Sequence, residues 1–247
     1  MIRCYWKTLN PSKTTSPDKL KFKGIIFDLD STLIQAEIDF VEMKQHMIAL
    51  LEKYGHPSGT LSPTNQTTVQ IMENAQQEWV QQKKSEADCN KLLAQIEQIM
   101  NEGEIAAIDN LTEIEGTREA INKLKDHGLK LAILTRSHHA YAVQALEKLA
   151  ISDQFDLILG RDETPEPKPY KGAIDHTVKL MNLTVDDVAM IGDHQIDRDS
   201  AINSGCLFIG VATGRRGLRS WKDEKAPEHY LPSVAELPEY LEAQGMI

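Results

Sequence analysis

The chain has 247 residues, 41% of them hydrophobic and 26% charged. These proportions fit an ordinary globular protein and exclude a collagen, a disordered chain and a membrane-spanning protein, since no apolar run approaches the roughly 18 residues a span needs. A formal net charge of −10 repels phosphate backbones and argues against nucleic acid as the main partner, so a phosphorylated ligand would need its positive charge supplied locally, by Lys, Arg or a metal.

Residues 1–23 carry six Lys or Arg against one Asp, with Ser, Thr and Pro scattered among them. They lack the apolar centre of a secretory signal and read as a loosely ordered N-terminal extension, a transit-like segment being the alternative. The cysteines Cys4, Cys89 and Cys206 are odd in number, far apart and free of any CxxC spacing. That argues against a disulfide framework or structural zinc and fits a reducing cytosol, so a cytoplasmic location is expected.

The first strand signal covers 24–29, a short apolar run entered through Gly24. Similar runs follow at 131–134, 157–159, 188–191 and 207–211, and helical patterns at 116–127, 138–149, 170–181 and 196–204 separate them. Strands apolar at every position, alternating with helices, predict an α/β protein with a doubly wound parallel sheet. Between the first strand and about Glu115 the alternation breaks. Ile34, Ile38, Val41, Met47, Ile48 and Leu51 recur at near-helical spacing, as do Val69, Met72, Ala75 and Trp79, then Leu92, Leu93, Ile96, Ile99 and Met100. Three helices fit between Gln35 and Asn101, with residues 57–63 as the turn between the first two. Some 80 residues are too many for a loop. The expected organisation is a core of 24–34 and 114–247 with an inserted helical domain at 35–113. Met43, Met47, Met72 and Met100 are expected in the core of that insert, and the glutamine-rich stretch 66–82 on a solvated face. Residues 229–231 suggest an edge strand and 234–243 a closing helix.

Ligands of an open parallel sheet bind beyond the carboxyl ends of its strands. There the sequence puts Asp28 and Asp30 after the first strand, Thr135 and Arg136 after the second, Arg161 and then Lys168 after the third, and Asp193 and Asp197 after the fourth. Three carboxylates at adjacent strand ends repel one another unless a hard cation relieves them, and Mg²⁺ suits one or two carboxylates, water and a phosphate. With Lys168 and Thr135 as donors, the set describes phosphoryl transfer: a carboxylate nucleophile, a metal, and stabilisers of equatorial oxygens.

Asp28-Leu29-Asp30-Ser31-Thr32-Leu33 resembles the DxDxT motif of the haloacid dehalogenase-like (HAD) superfamily. The strand ending in Thr135 resembles the second motif, Pro167-Lys168-Pro169 the third, and Gly192-Asp193-His194-Gln195-Ile196-Asp197 the fourth, GDxxxD. The insertion after the first strand resembles the helical cap of the phosphoglycolate phosphatase-like branch. The resemblance implies an Mg²⁺-dependent phosphatase acting on a small phosphorylated metabolite through an aspartyl-phosphate, with a phosphomutase or phosphotransferase as the alternative. It implies Asp28 as nucleophile and metal ligand, Asp30 as acid and base with its carbonyl on the metal, and Thr135 and Lys168 on the phosphoryl oxygens. Asp193 becomes a metal ligand, and Asp197 supports the metal's waters or Lys168. The family's dehalogenases manage without a metal and lack the second Asp of DxD, so Asp30 and Asp193 count against carbon–halogen hydrolysis. Ser31 stands where the family commonly has glycine, Gln35 where many phosphoglycolate phosphatases have Asp, and His194 where Ser or Thr is common. His194 either contacts substrate or shapes its loop, and the second reading is favoured. Arg136, counted among the phosphate-binding residues, and Arg161 each reach the site mouth or stay as surface charges. Arg215-Arg216 reads as solvated charge, and His138 and His139 as solvent residues of a first helical turn rather than ligands. Monomer and homodimer both remain open.

Overall fold

The computed structural model describes residues 21–214, 217 and 226–247; Cys4, most of the N-terminal extension and the Arg215-Arg216 pair lie outside them. Six strands form a parallel sheet in the order β5-β4-β1-β6-β7-β8: β1 (Gly24–Phe27), β4 (Lys130–Leu134), β5 (Leu157–Leu159), β6 (Val188–Gly192), β7 (Leu207–Val211) and β8 (His229–Leu231). The central strands are buried on both faces, which is why they read as unbroken apolar runs. Ile26, Ala132, Met190 and Phe208 pack with α6 (Lys171–Leu180) and α7 (Gln195–Ser204) on one face. Ile25, Phe27, Leu131, Ile133, Ile191 and Ile209 belong to a larger core with α4 (Thr117–Asp126), α5 (His139–Lys148) and α8 (Leu237–Gln244). The chain enters at β1 near the centre, runs outward through β4 and β5, then returns to lay down β6, β7 and β8 on the other side. The carboxyl ends of β4, β1 and β6 therefore meet where the order reverses, the usual crevice for a ligand.

Three helices, α1 (Phe40–Lys53), α2 (Thr68–Gln81) and α3 (Glu86–Ala106), lie between β2 (Ile34–Gln35) and β3 (Thr112–Glu113). β2 and β3 pair antiparallel, Ile34 with Glu113 and Gln35 with Thr112. Strand β2 straddles the boundary expected at 34/35 and β3 ends at the one expected at 113/114; two residues per strand carry no periodic signal, so the sequence did not disclose the ribbon. Asp39 starts α1 by accepting hydrogen bonds from the amides of Val41 and Glu42. Ile34 and Ile38, which extend the helical spacing in the sequence, are buried ahead of the helix. Thr67 and Gln70 form a capping box at the start of α2. Ile71, Ala75 and Trp79 point inward while Gln76, Gln77 and Gln81 are exposed, as expected of a solvated glutamine face. Met43, Met47 and Met100 are buried and Met72 is half-buried against the same core.

Helix α3 runs past Asn101 to Ala106. Its inward row is Leu92, Ile96, Met100 and Glu104, so the apolar pattern stops one turn before the helix does. At the chain's end a 3₁₀ turn, Val234–Glu236, precedes α8, where the sequence suggested one continuous helix. No described helix is long and apolar enough to cross a membrane.

Candidate active site

Asp28 directly follows β1, and its amide donates to the carbonyl of Ile191 in β6 (2.9 Å), which fixes it at the centre of the sheet edge. Lys168 Nζ donates to Asp28 Oδ1 and to Asp197 Oδ1, each at 2.6 Å. The lysine is 2% exposed. Burial alone would lower its pKa, but the charges of Asp197 and Asp28 outweigh that and raise it, so the ammonium is retained. The second oxygen of Asp197 accepts the amide of His194 (3.1 Å). Asp197 thus holds Lys168 and the turn into α7, one of the two roles the resemblance allowed.

Carboxylate oxygens of Asp28, Asp193 and Asp197 all lie within 4.8 Å of one another. One ammonium faces three carboxylates. Desolvation pushes Asp28 up to about 7 against the pull of Lys168. Desolvation, with the neighbouring charges of Asp28 and Asp197, pushes Asp193 to about 8. A group of hard oxygen donors with uncompensated negative charge fits Mg²⁺ better than any softer metal. Thr32 Oγ1 reaches Asp193 at 3.4 Å. A Cβ at position 214 would fall 2.1 Å from Asp193 Oδ2, so the glycine there leaves the backbone room against this carboxylate.

Asp30 is held differently. Tyr141 Oη donates to its Oδ1 (2.6 Å) and Ser137 Oγ to its Oδ2 (2.9 Å). Burial raises the Asp30 pKa, and these two hydroxyls only partly oppose the rise. Sequence reasoning did not identify Tyr141 or Ser137 as members of the site. Ser137 lies two residues beyond Thr135, and Tyr141 in the first turn of α5 was legible only as an apolar helix position. Ser31 has φ of +63°, the left-handed region that favours glycine, which accounts physically for the family's usual residue there.

Thr135 is buried, and its Oγ1 accepts the amide of Ser137 (3.0 Å). Arg136 lines the cavity and touches the insert, donating to Thr68 Oγ1 at 3.4 Å. Its Nε is buried without a hydrogen-bond partner among the described residues. His194 caps α7, its Nδ1 accepting the amide of Ile196 (3.2 Å), and also lines the cavity; loop shaping, the favoured reading, is seen. Arg161 is no surface charge: its side chain is 7% exposed and ion-paired with Glu104 at 2.6 Å. Burial pushes Glu104 up to about 7 despite that pairing. His138 and His139 are half-buried and pair with Asp162 (3.3 Å) and Glu163 (2.6 Å), so they are not free solvent residues; the acids of the neighbouring loop account for the difference.

Asp28, Asp30, Thr135, Arg136, Lys168, Asp193 and Asp197 open onto a cavity of about 500 Å³, walled on the insert side by Phe40, Met43, Lys44 and Met100; Arg161, His138, His139 and Tyr141 do not line it.

Residues 25–211 match the family model of the haloacid dehalogenase-like hydrolases. The chain belongs to that family. Among curated proteins it resembles a phosphoglycolate phosphatase of Neisseria meningitidis, 33% identical over 130 residues that make up 52% of this chain and 55% of the relative. It also resembles pyrophosphatase PpaX of Listeria welshimeri, 29% identical over 109 residues, 44% of this chain and 50% of the relative. The matches span about half the length of these relatives. Among solved structures, a haloacid dehalogenase-like hydrolase from Bacteroides fragilis superposes with a TM-score of 0.63 at 18% identity, over 88% of this chain and all of the other. At that identity the likeness speaks for the fold alone.

Proposed function

We propose that the protein is an Mg²⁺-dependent phosphatase that hydrolyses a small phosphorylated metabolite through an aspartyl-phosphate on Asp28. The observation that carries this reading is the buried Asp28 at the switch point, held by Lys168 and crowded by Asp193. Asp28 and Asp193, with the backbone carbonyl of Asp30, would hold the ion, whose charge would offset both the carboxylates and the phosphoryl oxygens. An oxygen of Asp28 attacks phosphorus as the bond to the leaving oxygen breaks. Lys168, Thr135 and Arg136 donate to the equatorial oxygens. Asp30 gives its proton to the departing alkoxide, then takes one from the water that cleaves the aspartyl-phosphate, releasing phosphate and restoring Asp28.

Residues 35–113 act as a cap over this chemistry. The cap supplies Phe40, Met43, Lys44, Thr67, Thr68 and Met100 to the leaving-group side of the cavity. A covered space of this size admits a metabolite and not a polymer, which the acidic surface would also repel. Similarity to a phosphoglycolate phosphatase makes phosphoglycolate the first substrate to assay, with pyrophosphate and sugar phosphates beside it. The test is phosphate release from a panel of such metabolites with Mg²⁺, for the native chain and for Asp28→Asn. Release that depends on Asp28 supports the proposal. No release from any member, or release indifferent to the substitution, refutes it.

A further inference from the structure

We infer that Arg161 is a positioning residue through which docking of helix α3 fixes the loop that orients Asp30. The inference rests on Asp30 being the acid–base group of the proposed reaction.

Arg161 follows β5 and belongs to the core, yet most of its bonds go to the insert. Its Nε donates to Glu97 Oε2 (3.1 Å), its Nη1 to Glu104 Oε1 (2.6 Å) and its Nη2 to Asn101 Oδ1. Positions 97, 101 and 104 are four and three residues apart, so one face of α3 presents all three acceptors. The same Nη1 also donates to the carbonyl of Arg136 (3.2 Å). The Arg161 amide donates to the carbonyl of Ser137 (3.0 Å). Glu104 completes the junction from the other side, its Oε2 accepting the amide of His138 (3.0 Å).

The loop so gripped, residues 135–139, is also held from below. A Cβ at Gly160 would fall 2.2 Å from the amide nitrogen of His139. The loops after β4 and β5 therefore touch backbone to backbone, and Asp162 Oδ1 accepts that His139 amide (2.9 Å). Within the loop, Ser137 Oγ donates to Asp30. A continuous path of bonds thus runs from the face of α3 through the guanidinium to Ser137, one of the two hydroxyls that orient the carboxylate, the other being Tyr141.

The arrangement is cooperative. A buried guanidinium is tolerated because four of its five N–H donors are filled, and three of its acceptors sit on one helix. Withdrawing α3 would remove all three together and would take Glu104 from the His138 amide. The Ser137–Asp30 bond would then depend on a loop that has lost its grip from the insert. Proton delivery to the leaving oxygen is thereby tied to the insert being seated.

The experiment compares two phosphate esters on the full chain with Mg²⁺. The leaving group of an alkyl phosphate needs a proton as the P–O bond breaks; that of p-nitrophenyl phosphate departs as the phenolate. General acid catalysis is worth about 10²–10⁴-fold, and kcat/KM reports the phosphoryl-transfer step alone, before Asp30 acts as base on the aspartyl-phosphate common to both esters, so Arg161→Ala should lower kcat/KM on the alkyl ester by roughly 10–100-fold and on p-nitrophenyl phosphate by less than about threefold. Arg161→Lys, which keeps the charge and one donor, should recover part of the loss. Asp30→Asn should show the same selectivity, larger. An equal loss on both esters, or none, overturns the inference. If Arg161→Ala does not fold, as judged by circular dichroism, the double variant Glu97→Ala with Asn101→Ala makes the same comparison from the α3 side, and an unchanged ratio between the esters overturns the inference. If Asp30→Asn shows no leaving-group selectivity, the assignment of Asp30 fails first, a result distinct from failure of Arg161 alone.

Discussion

Asp28→Asn should abolish turnover and yet make the metal-free protein more stable at alkaline pH. Asparagine keeps the shape of the side chain and an oxygen for Lys168, but it cannot become a phosphoenzyme. The stability argument starts from burial, which lifts the Asp28 carboxyl from 3.8 to about 7. A carboxyl whose folded pKa lies above its unfolded one contributes its full stability at acid pH and loses it as pH rises through the folded value. At about 1.4 kcal/mol per pH unit, ionised Asp28 costs the fold about 4 kcal/mol by pH 8. The amide escapes that cost. That figure already includes the pull of Lys168 on the ionised carboxylate. The net expectation is a variant more stable than the native chain near pH 8, by up to about 4 kcal/mol, and equal to it at the acid end, where both side chains are neutral, so the two stability curves converge as pH falls. Urea unfolding in chelator across this pH range measures both curves, and phosphate release measures activity. A variant less stable at every pH, or one that keeps native turnover, refutes the reasoning.

Exhaustive chelation should abolish activity and added Mg²⁺ should restore it, while saturating Mg²⁺ at about 100 times its Kd stabilises the native chain by ~3 kcal/mol; undiminished turnover in chelator would sink the metal assignment. Lys168→Met should lose activity on every substrate and lower stability at neutral pH by about 3–5 kcal/mol, because Asp28 and Asp197 are left buried without their cation; an unfolding midpoint equal to that of the native chain contradicts this. Phosphoglycolate or sugar phosphates should be turned over with far higher kcat/KM than a phosphopeptide or a 5′-phosphorylated oligonucleotide, and equal efficiencies would refute the covered-cavity picture.

The sequence disclosed what repeats or what must be charged. Unbroken apolar strands announced the parallel sheet because burial on both faces leaves no alternation to confuse with a surface strand. Asp28, Asp30, Thr135, Lys168, Asp193 and Asp197 stood out because each follows a strand signal, and the structure brings them to one sheet edge. Neutral and short features stayed hidden. The β2–β3 ribbon is too brief to pattern. Tyr141 fills a position an apolar residue could have filled, and only its hydroxyl, aimed at Asp30, reveals its part. Glu104 carries no signal in the apolar row of α3, which ends at Met100, because its partners lie on loops more than 30 residues further along the chain.

The residues that escaped the sequence reading share a physical cause. Charge on a strand end is conspicuous because nothing in the fold needs it there. Hydroxyls and ion pairs that hold those charges in place satisfy ordinary requirements of burial and hydrogen bonding, and so look like structure. The cluster of Asp28, Asp193 and Asp197 around one ammonium works against stability, as the raised pKa values of Asp28 and Asp193 attest. Arg161, Ser137 and Tyr141 work the other way, each filling a donor or acceptor that burial would otherwise penalise. A site of this kind is therefore found from sequence by its strained half, while its supporting half appears only once the loops after β4 and β5 are seen against α3.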